Sequence, residues 1–384
     1  MPSYSDDGIA ERSEHRDRLL QIVSSVADSL WEGADASEDS RVLVPESIRI
    51  LRESGLIKAL APVDVGGFQV DPVTEMELIA AVTAIDGATG WMFWALAGST
   101  ARAASMLPED AVTEVFGNGQ FPLIAYDERP YDNVIRIRDG LAEINGTWRF
   151  GTGVSCADWV VAIAHAETSS TGTPLIAAIV PTRHVEIIDS WNASGLSGTG
   201  TVGYRIDGLV VPELHTWPYP PSMPVRGGAH FISRRAAIKH LGFALGLARS
   251  SLEWFTDHVI GRQRTAVVSA SLFADLARAR LDLDAAYALG LSEVSTIWIE
   301  AVRTSHVTDQ SYLRLRAVAR RVTEIAMDVC ALAARYGDAS MLARQNPLQR
   351  NLRDITAAAA HAEVSAVVLD EFGTELIKQG GEER

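Results

Sequence analysis

The sequence predicts a mainly α-helical protein with a central β-domain. Long stretches on both sides of the middle repeat apolar residues at helical spacing. The runs that alternate or are β-branched fall between residues 121 and 211: 134–138, 159–164, 185–188 and 203–206. Two Gly/Ser/Thr-rich stretches, 148–159 and 194–201, lie among those runs and suggest where a flat cofactor sits. The expected division is an N-terminal helical domain (1–117), a middle β domain (118–224) and a C-terminal four-helix bundle (225–384).

The N-terminal residues to about 15 are polar and are expected to lack regular structure. From 14 to 33, Leu19, Leu20, Ile22, Val23, Val26 and Leu30 form one helical stripe. Pro45 opens a second helix, with Ile48 and Leu51 facing inward, and Gly55 helps to stop it. Residues 62–68 read as a loop, because the pair Gly66-Gly67 permits turns that other residues resist. Helices are expected at 72–84 and 90–106. The second carries Trp91 and Trp94 at i,i+3, which suits either core packing or the lining of a hydrophobic pocket.

In the β-region, Asp139-Gly140, Asn145-Gly146 and Asp207-Gly208 read as hairpin turns. Residues 212–228 hold five prolines and read as an irregular connection. Four helices follow, at about 232–260, 269–303, 307–336 and 348–379. Their short joints suggest an antiparallel bundle.

A chain of 384 residues can bury a large core. Its net charge of −15 argues against a nucleic-acid partner, and the same acidity serves solubility. Cys156 and Cys330 have no metal-ligand spacing and suit a reducing cytoplasm. With no long uncharged apolar run, no membrane span is expected.

The two β-loops supply the hydroxyls of Thr152, Ser155, Thr199 and Thr201, and glycine backbone that a ligand can approach closely. No dinucleotide fingerprint or phosphate-binding P-loop is present. His361 lies beside the inward stripe of the expected last helix, with Ala357 and Ala358 one turn before it and Ser365 one turn after. Such a histidine suits a general base acting on a phenol or amine, or a plain half-exposed helix residue. Arg262, before Gln263 and Arg264, suits either phosphate binding or a cation at a helix C-terminus. The other histidines, His240 among them, are scattered without metal-ligand spacing.

Several segments together resemble the acyl-CoA dehydrogenase superfamily: Leu51-Arg52-Glu53-Ser54-Gly55-Leu56, Pro62-Val63-Asp64-Val65-Gly66-Gly67, the 148–159 loop, Gly195-Leu196-Ser197-Gly198-Thr199-Gly200, Val211-Pro212-Glu213, and 347–355 leading to His361. The resemblance is nearest to the flavin-dependent monooxygenase branch. Trp148-x-Phe150-x-Thr152-Gly153 followed by Ala157-x-Trp159 is similar to that branch's tryptophan loop. Arg353-Asp354 followed by His361 is similar to its histidine motif. Thr152 stands for the usual Ser, Thr201 for the usual Ser after G-T-G, and Cys156 for a frequent His.

The resemblance implies the oxygenase component of a two-component system. A separate flavin reductase would supply reduced FMN or FAD, which would react with O2 to a C4a-hydroperoxyflavin and oxygenate a small aromatic, polycyclic or amine substrate. It implies Thr152 near flavin N5, with Gly153, Ser155, Thr199, Gly200, Thr201 and Arg262 also on the cofactor. His361 would be the base on substrate or would orient the distal oxygen. Trp91, Trp94 and Tyr126 would line the substrate pocket. A homotetramer through the bundle is the family's usual assembly. The rival readings are a true acyl-CoA dehydrogenase, for which Glu363 or Glu371 would have to supply the base, and a non-catalytic helical interaction protein.

Overall fold

The computed structural model describes residues 6–117, 119–167, 174–220, 223–231, 235–263 and 270–382. The helices are α1 (Asp6–Glu32), α2 (Ala34–Ser40), α3 (Pro45–Glu53), α4 (Pro72–Ile85), α5 (Gly87–Met106), α6 (Glu109–Phe116), α7 (Ala236–Gln263), α8 (Ala270–Thr304), α9 (Asp309–Tyr336), α10 (Pro347–Ala358) and α11 (Val367–Glu382). The strands are β1 (Ile124–Asp127), β2 (Val134–Arg138), β3 (Leu141–Gly151), β4 (Trp159–Glu167), β5 (Leu175–Pro181), β6 (Glu186–Ile188), β7 (Val202–Pro212) and β8 (Thr216–Tyr219). Two compact units emerge. One holds residues 1–70, 92–192 and 197–233; the other holds 71–91, 193–196 and 234–384.

The first unit is built on an eight-stranded sheet of order β6-β7-β3-β2-β4-β5-β8, with β1 also paired to β4. Strands β1 and β2 run parallel to β4 at opposite ends of it; the other ladders are antiparallel. Trp159, Val161, Ile163, Ala177, Ile179 and Trp217 form a core with Ala103 and Met106 of α5, Leu107 just after it, and Val112 and Val115 of α6. The Trp148 indole donates to the Ile163 carbonyl at 2.9 Å and stacks on Tyr204, with ring centroids 5.1 Å apart. That ties β3 to β4 and β7 just before the first loop.

Of the three expected hairpin turns, Asp139-Gly140 joins β2 to β3, both residues having positive φ as a tight hairpin needs. The other two lie inside strands. Between the pairs Ile144↔Leu209 and Gly146↔Ile206, β7 carries the extra residue of a β-bulge. Gly208 takes φ +63° there, and its N–H donates to the Asn145 side chain at 2.7 Å. Asn145 and Gly146 thus answer a bulge instead of forming a turn, because the cross-strand partner claims the Asn145 amide.

The expectation of an irregular connection over 212–228 is also corrected in part. Residues 216–219 form β8, which pairs with β5, and Trp217 is buried in the core. As the terminal strand of the sheet, β8 tolerates Pro218, which cannot donate to a further ladder. Regular structure at the N-terminus starts at Asp6, earlier than the polar composition suggests. Arg264, one of the five prolines (Pro221), and the starts of the expected helices at 232 and 269 lie outside the described residues.

In the second unit α7 packs on α4, α8 and α9, and α10 and α11 pack on α9. Glycines set the α4–α7 spacing: a Cβ at Gly242 or Gly246 would sit 2.5 Å from the carbonyl oxygen of Met76 or Ala80. The expected last helix, 348–379, is two helices. It breaks after Ala358, despite an alanine run that favours helix, and resumes at Val367. The break is held from α9: Arg316 donates to the Ala362 carbonyl and Arg320 to the Val364 carbonyl, both at 3.1 Å. These guanidinium donors satisfy carbonyls that a continued helix would have paired internally.

Candidate active site

The first loop begins where β3 ends. Thr152 forms an isolated bridge with Tyr126 of β1, and Gly153 takes φ +80°, a left-handed value that glycine adopts without cost. A Cβ at Gly153 would lie 2.8 Å from the Leu96 Cδ2 atom. Gly153→Ala should therefore cost on the order of 1–2 kcal/mol in thermal or denaturant unfolding. The far end is pinned at Asp158, which accepts from the Leu123 N–H at 2.8 Å and pairs with Arg52 at 3.1 Å. Cys156 closes the turn, its thiol donating to the Gly153 carbonyl at 3.3 Å. Burial pushes that thiol up to about 12, so it is no thiolate nucleophile.

The second loop meets the first through hydroxyls. Thr152 Oγ1 lies 3.1 Å from Thr201 Oγ1, which lies 2.8 Å from Thr199 Oγ1. These two contacts consume two of the chain's three O–H protons. Thr199 and Thr201 are buried; Thr152, at the end of the chain, is half-buried. Gly200 takes φ +54° with a Cβ position 3.0 Å from Val42 Cγ2, and α2 packs on the Ser197–Thr199 turn. Loops 152–158 and 197–201 thus form one hydroxyl-lined, glycine-backed cradle. A flat heteroaromatic ring that needs hydrogen-bond partners at its edge, such as flavin, fits that donor set. Ser155 is exposed on this turn.

His361 stands in the second unit, outside any α-helix. The expectation of a helical face is corrected: His361 has extended backbone (φ −68°, ψ 142°) and caps the 3₁₀ turn Ala362–Val364. Its Nδ1 accepts the Glu363 N–H at 3.2 Å. The neutral ring therefore carries its proton on Nε2, which is a donor. Beside it lies His240 of α7, ring centroids 4.4 Å apart. Trp91 sets its edge against His361 (6.3 Å), His240 (5.6 Å) and Phe243 (5.2 Å). His240 is buried, and desolvation, followed by the neighbouring His361 and Lys239, holds it well below the usual histidine range.

Trp94 is half-buried in the first unit. Tyr126 packs against the β-core, and burial raises its phenol well above the ordinary value. Arg262, near the end of α7, donates to the Tyr336 carbonyl at the end of α9 (3.1 Å), as a helix C-terminus favours. Glu363 and Glu371 are committed to ion pairs: Glu363 accepts from Tyr312 Oη at 2.5 Å and faces Arg316 at 3.5 Å, and Glu371 pairs with Arg316 at 3.3 Å. No group of three metal ligands occurs among the described residues, and none of their helices is long and apolar enough to cross a membrane.

Comparison with known proteins agrees with this layout. Residues 238–366 match the family described as acyl-CoA dehydrogenase, C-terminal domain. The "pigment production hydroxylase" of Rhodococcus sp. (strain ATCC 21145) is 25% identical over 364 residues, covering 90% of this chain and 92% of that protein. The oxygenase subunit HsaA, a flavin-dependent monooxygenase of Rhodococcus jostii (strain RHA1), is 26% identical over 367 residues, covering 89% and 94%. Among solved structures, 3-HSA hydroxylase from Rhodococcus sp. RHA1 superposes with a TM-score of 0.85 at 23% identity, over 94% and 97% of the two chains. XiaF from Streptomyces sp., solved with FADH2 and glycerol, gives 0.82 at 22% identity, over 97% and 98%. The dibenzothiophene monooxygenase TdsC from Paenibacillus sp. A11-2, in its complex with FMN and indole, gives 0.78 at 20%, over 94% and 98%.

Residues 238–366 carry the acyl-CoA dehydrogenase C-terminal domain, and over most of its length the chain is similar to flavin-dependent monooxygenase oxygenase subunits. Within that fold, two residues carry more than sequence reasoning assigned to them. His240 was one scattered histidine among several, and its apolar surroundings on α7 gave no sign of its partner. Asp354 belongs to the Arg-Asp motif, whose residue types alone give it no role.

Proposed function

We propose that this protein is the oxygenase component of a two-component flavin-dependent monooxygenase acting on a small aromatic substrate. The observation that carries the reading is the Thr152–Thr201–Thr199 hydroxyl chain beside the bare backbone of Gly153. A flavin, reduced elsewhere by a separate reductase, supplies the chemistry of oxygen activation when bound. Thr152 would hold the ring edge through its hydroxyl, and the backbone at Gly153 and Gly200 would leave room for the cofactor. His361, with its neutral-ring proton on Nε2, would donate to an oxygen of the substrate. Trp91 and Phe243 give an aromatic substrate apolar rings to pack on beside His361. With Glu363 and Glu371 held by Arg316, the carboxylates weighed for α-proton abstraction are already engaged, which favours oxygenation over acyl-CoA dehydrogenation.

The cofactor is reduced FMN or FAD, bound in the cytoplasm. The assembly is a homotetramer formed through the helical region, an expectation supported by exposed Phe273, Leu281 and Val302 on α8.

The decisive experiment mixes protein, loaded anaerobically with reduced FMN or FAD, with oxygenated buffer in a stopped-flow instrument. Slow, multiphase reoxidation distinct from that of free flavin is expected; no binding of reduced flavin sinks the reading. Thr152→Ala should bind flavin but raise the hydrogen peroxide released per flavin oxidised, by roughly tenfold for the loss of one polar contact. An unchanged peroxide yield would count against Thr152.

A further inference from the structure

The segment just before the second loop is clamped to α10. Leu196 is a leucine at φ +55°, the left-handed region that costs a non-glycine residue on the order of 1–2 kcal/mol. Its N–H donates to Asp354 Oδ1 at 2.6 Å, a short bond in a fully buried place. Gly195 presses its backbone on the same helix, where a Cβ would lie 2.1 Å from the Arg353 carbonyl oxygen. Arg353 Nη1 donates to the Ser194 carbonyl at 3.1 Å. Three successive residues of the loop are therefore held by two successive residues of α10.

On the functional reading above, we propose that Asp354 is a positioning residue for the flavin-binding loop, its carboxyl oxygen holding the Leu196 N–H so that the left-handed kink is fixed before flavin arrives. Residues 197–201 follow that kink directly in the chain and include the Thr199 and Thr201 hydroxyls. A loop set in advance spares the ligand the ordering cost that a free one imposes on binding. Gly87 makes room for the Asp354 carboxyl group, since a Cβ there would lie 2.5 Å from Oδ2.

The test compares flavin affinity in three proteins well below their unfolding temperatures. Asp354→Asn keeps an acceptor for the Leu196 N–H and should bind reduced flavin within about threefold of wild type, a few tenths of a hydrogen bond's worth. Asp354→Leu matches the shape, removes the acceptor, and should weaken binding by roughly ten- to a hundredfold. Equal affinity in wild type and Asp354→Leu would overturn the inference while leaving the functional reading standing. A wild type that binds no reduced flavin would withdraw both.

A measurement on wild type alone covers the case in which Asp354→Leu fails to fold. Hydrogen exchange of the 194–201 segment should be slow without flavin and little slower with it. Free exchange that slows only when flavin binds would show that the loop is ordered by ligand, and the inference would fall.

Discussion

His361→Ala is expected to keep reduced-flavin binding and to lose oxygenation by a factor on the order of 10²–10⁴, the range for removing a positioned acid–base group. The Thr152–Thr201 cradle contains no atom of His361, so cofactor affinity should change little. The direction of its hydrogen bonds refines the expectation. Because Nδ1 accepts from the Glu363 N–H, the neutral ring carries its proton on Nε2 and acts there as a donor. His361→Gln, which supplies an amide N–H but no base, should therefore retain more activity than His361→Ala. Equal loss in both variants, together with a rate that rises as pH climbs through the histidine range, would identify a base instead. Unchanged oxygenation in His361→Ala would remove the residue from the chemistry.

The second large effect is on stability. Asp354 is raised from its ordinary 3.8 to about 7, chiefly by desolvation, with Asp86 adding to the rise. The Leu196 N–H, Arg353 and Arg350 act the other way. Arg350, itself buried, lies 4.0 Å from Asp86, in a region that holds two buried carboxyl groups. On α9, Cys330 is pushed up to about 12 by burial and stays a thiol. A carboxyl with a raised folded pKa binds more protons folded than unfolded between about 4 and 7, so stability falls as pH rises through that window and does not recover above it. The penalty at pH 8 is on the order of 4 kcal/mol.

Asp354→Asn keeps the hydrogen bond and cannot ionise. Its midpoint of unfolding should match wild type near pH 4 and exceed it at pH 8. Parallel stability profiles for the two proteins across that range would show that the carboxyl does not titrate in the folded state.

Much of this protein is legible in its residues. The alternation in 134–138 and 159–164 marks β2 and β4, because a strand's side chains alternate faces wherever a core covers one of them. The 148–159 stretch identifies the first loop, because Gly153 and Trp148 do jobs that few other residues can: a left-handed turn and a buried indole anchored to Ile163. Hairpin signals were less reliable. Asp139-Gly140 turns the chain, whereas Asp207-Gly208 makes a bulge, since local preference for positive φ is the same in both and only strand pairing distinguishes them.

The last helical segment shows the limit most clearly. By propensity, Ala357–Ala360 should continue a helix through His361. What stops it are two arginines about 40 residues earlier in the chain, Arg316 and Arg320, which take the carbonyls of Ala362 and Val364. The same break turns His361 toward His240, and it gives Nδ1 a backbone N–H to accept. Sequence by itself determined the helical and β regions, the two loops and the identity of the histidine, since these follow from periodicity and from residues with few substitutes. Tertiary structure alone decided the tautomer of His361, the neutral state of His240 and the clamp of Asp354 on Leu196, because each depends on desolvation and on partners far away in the chain.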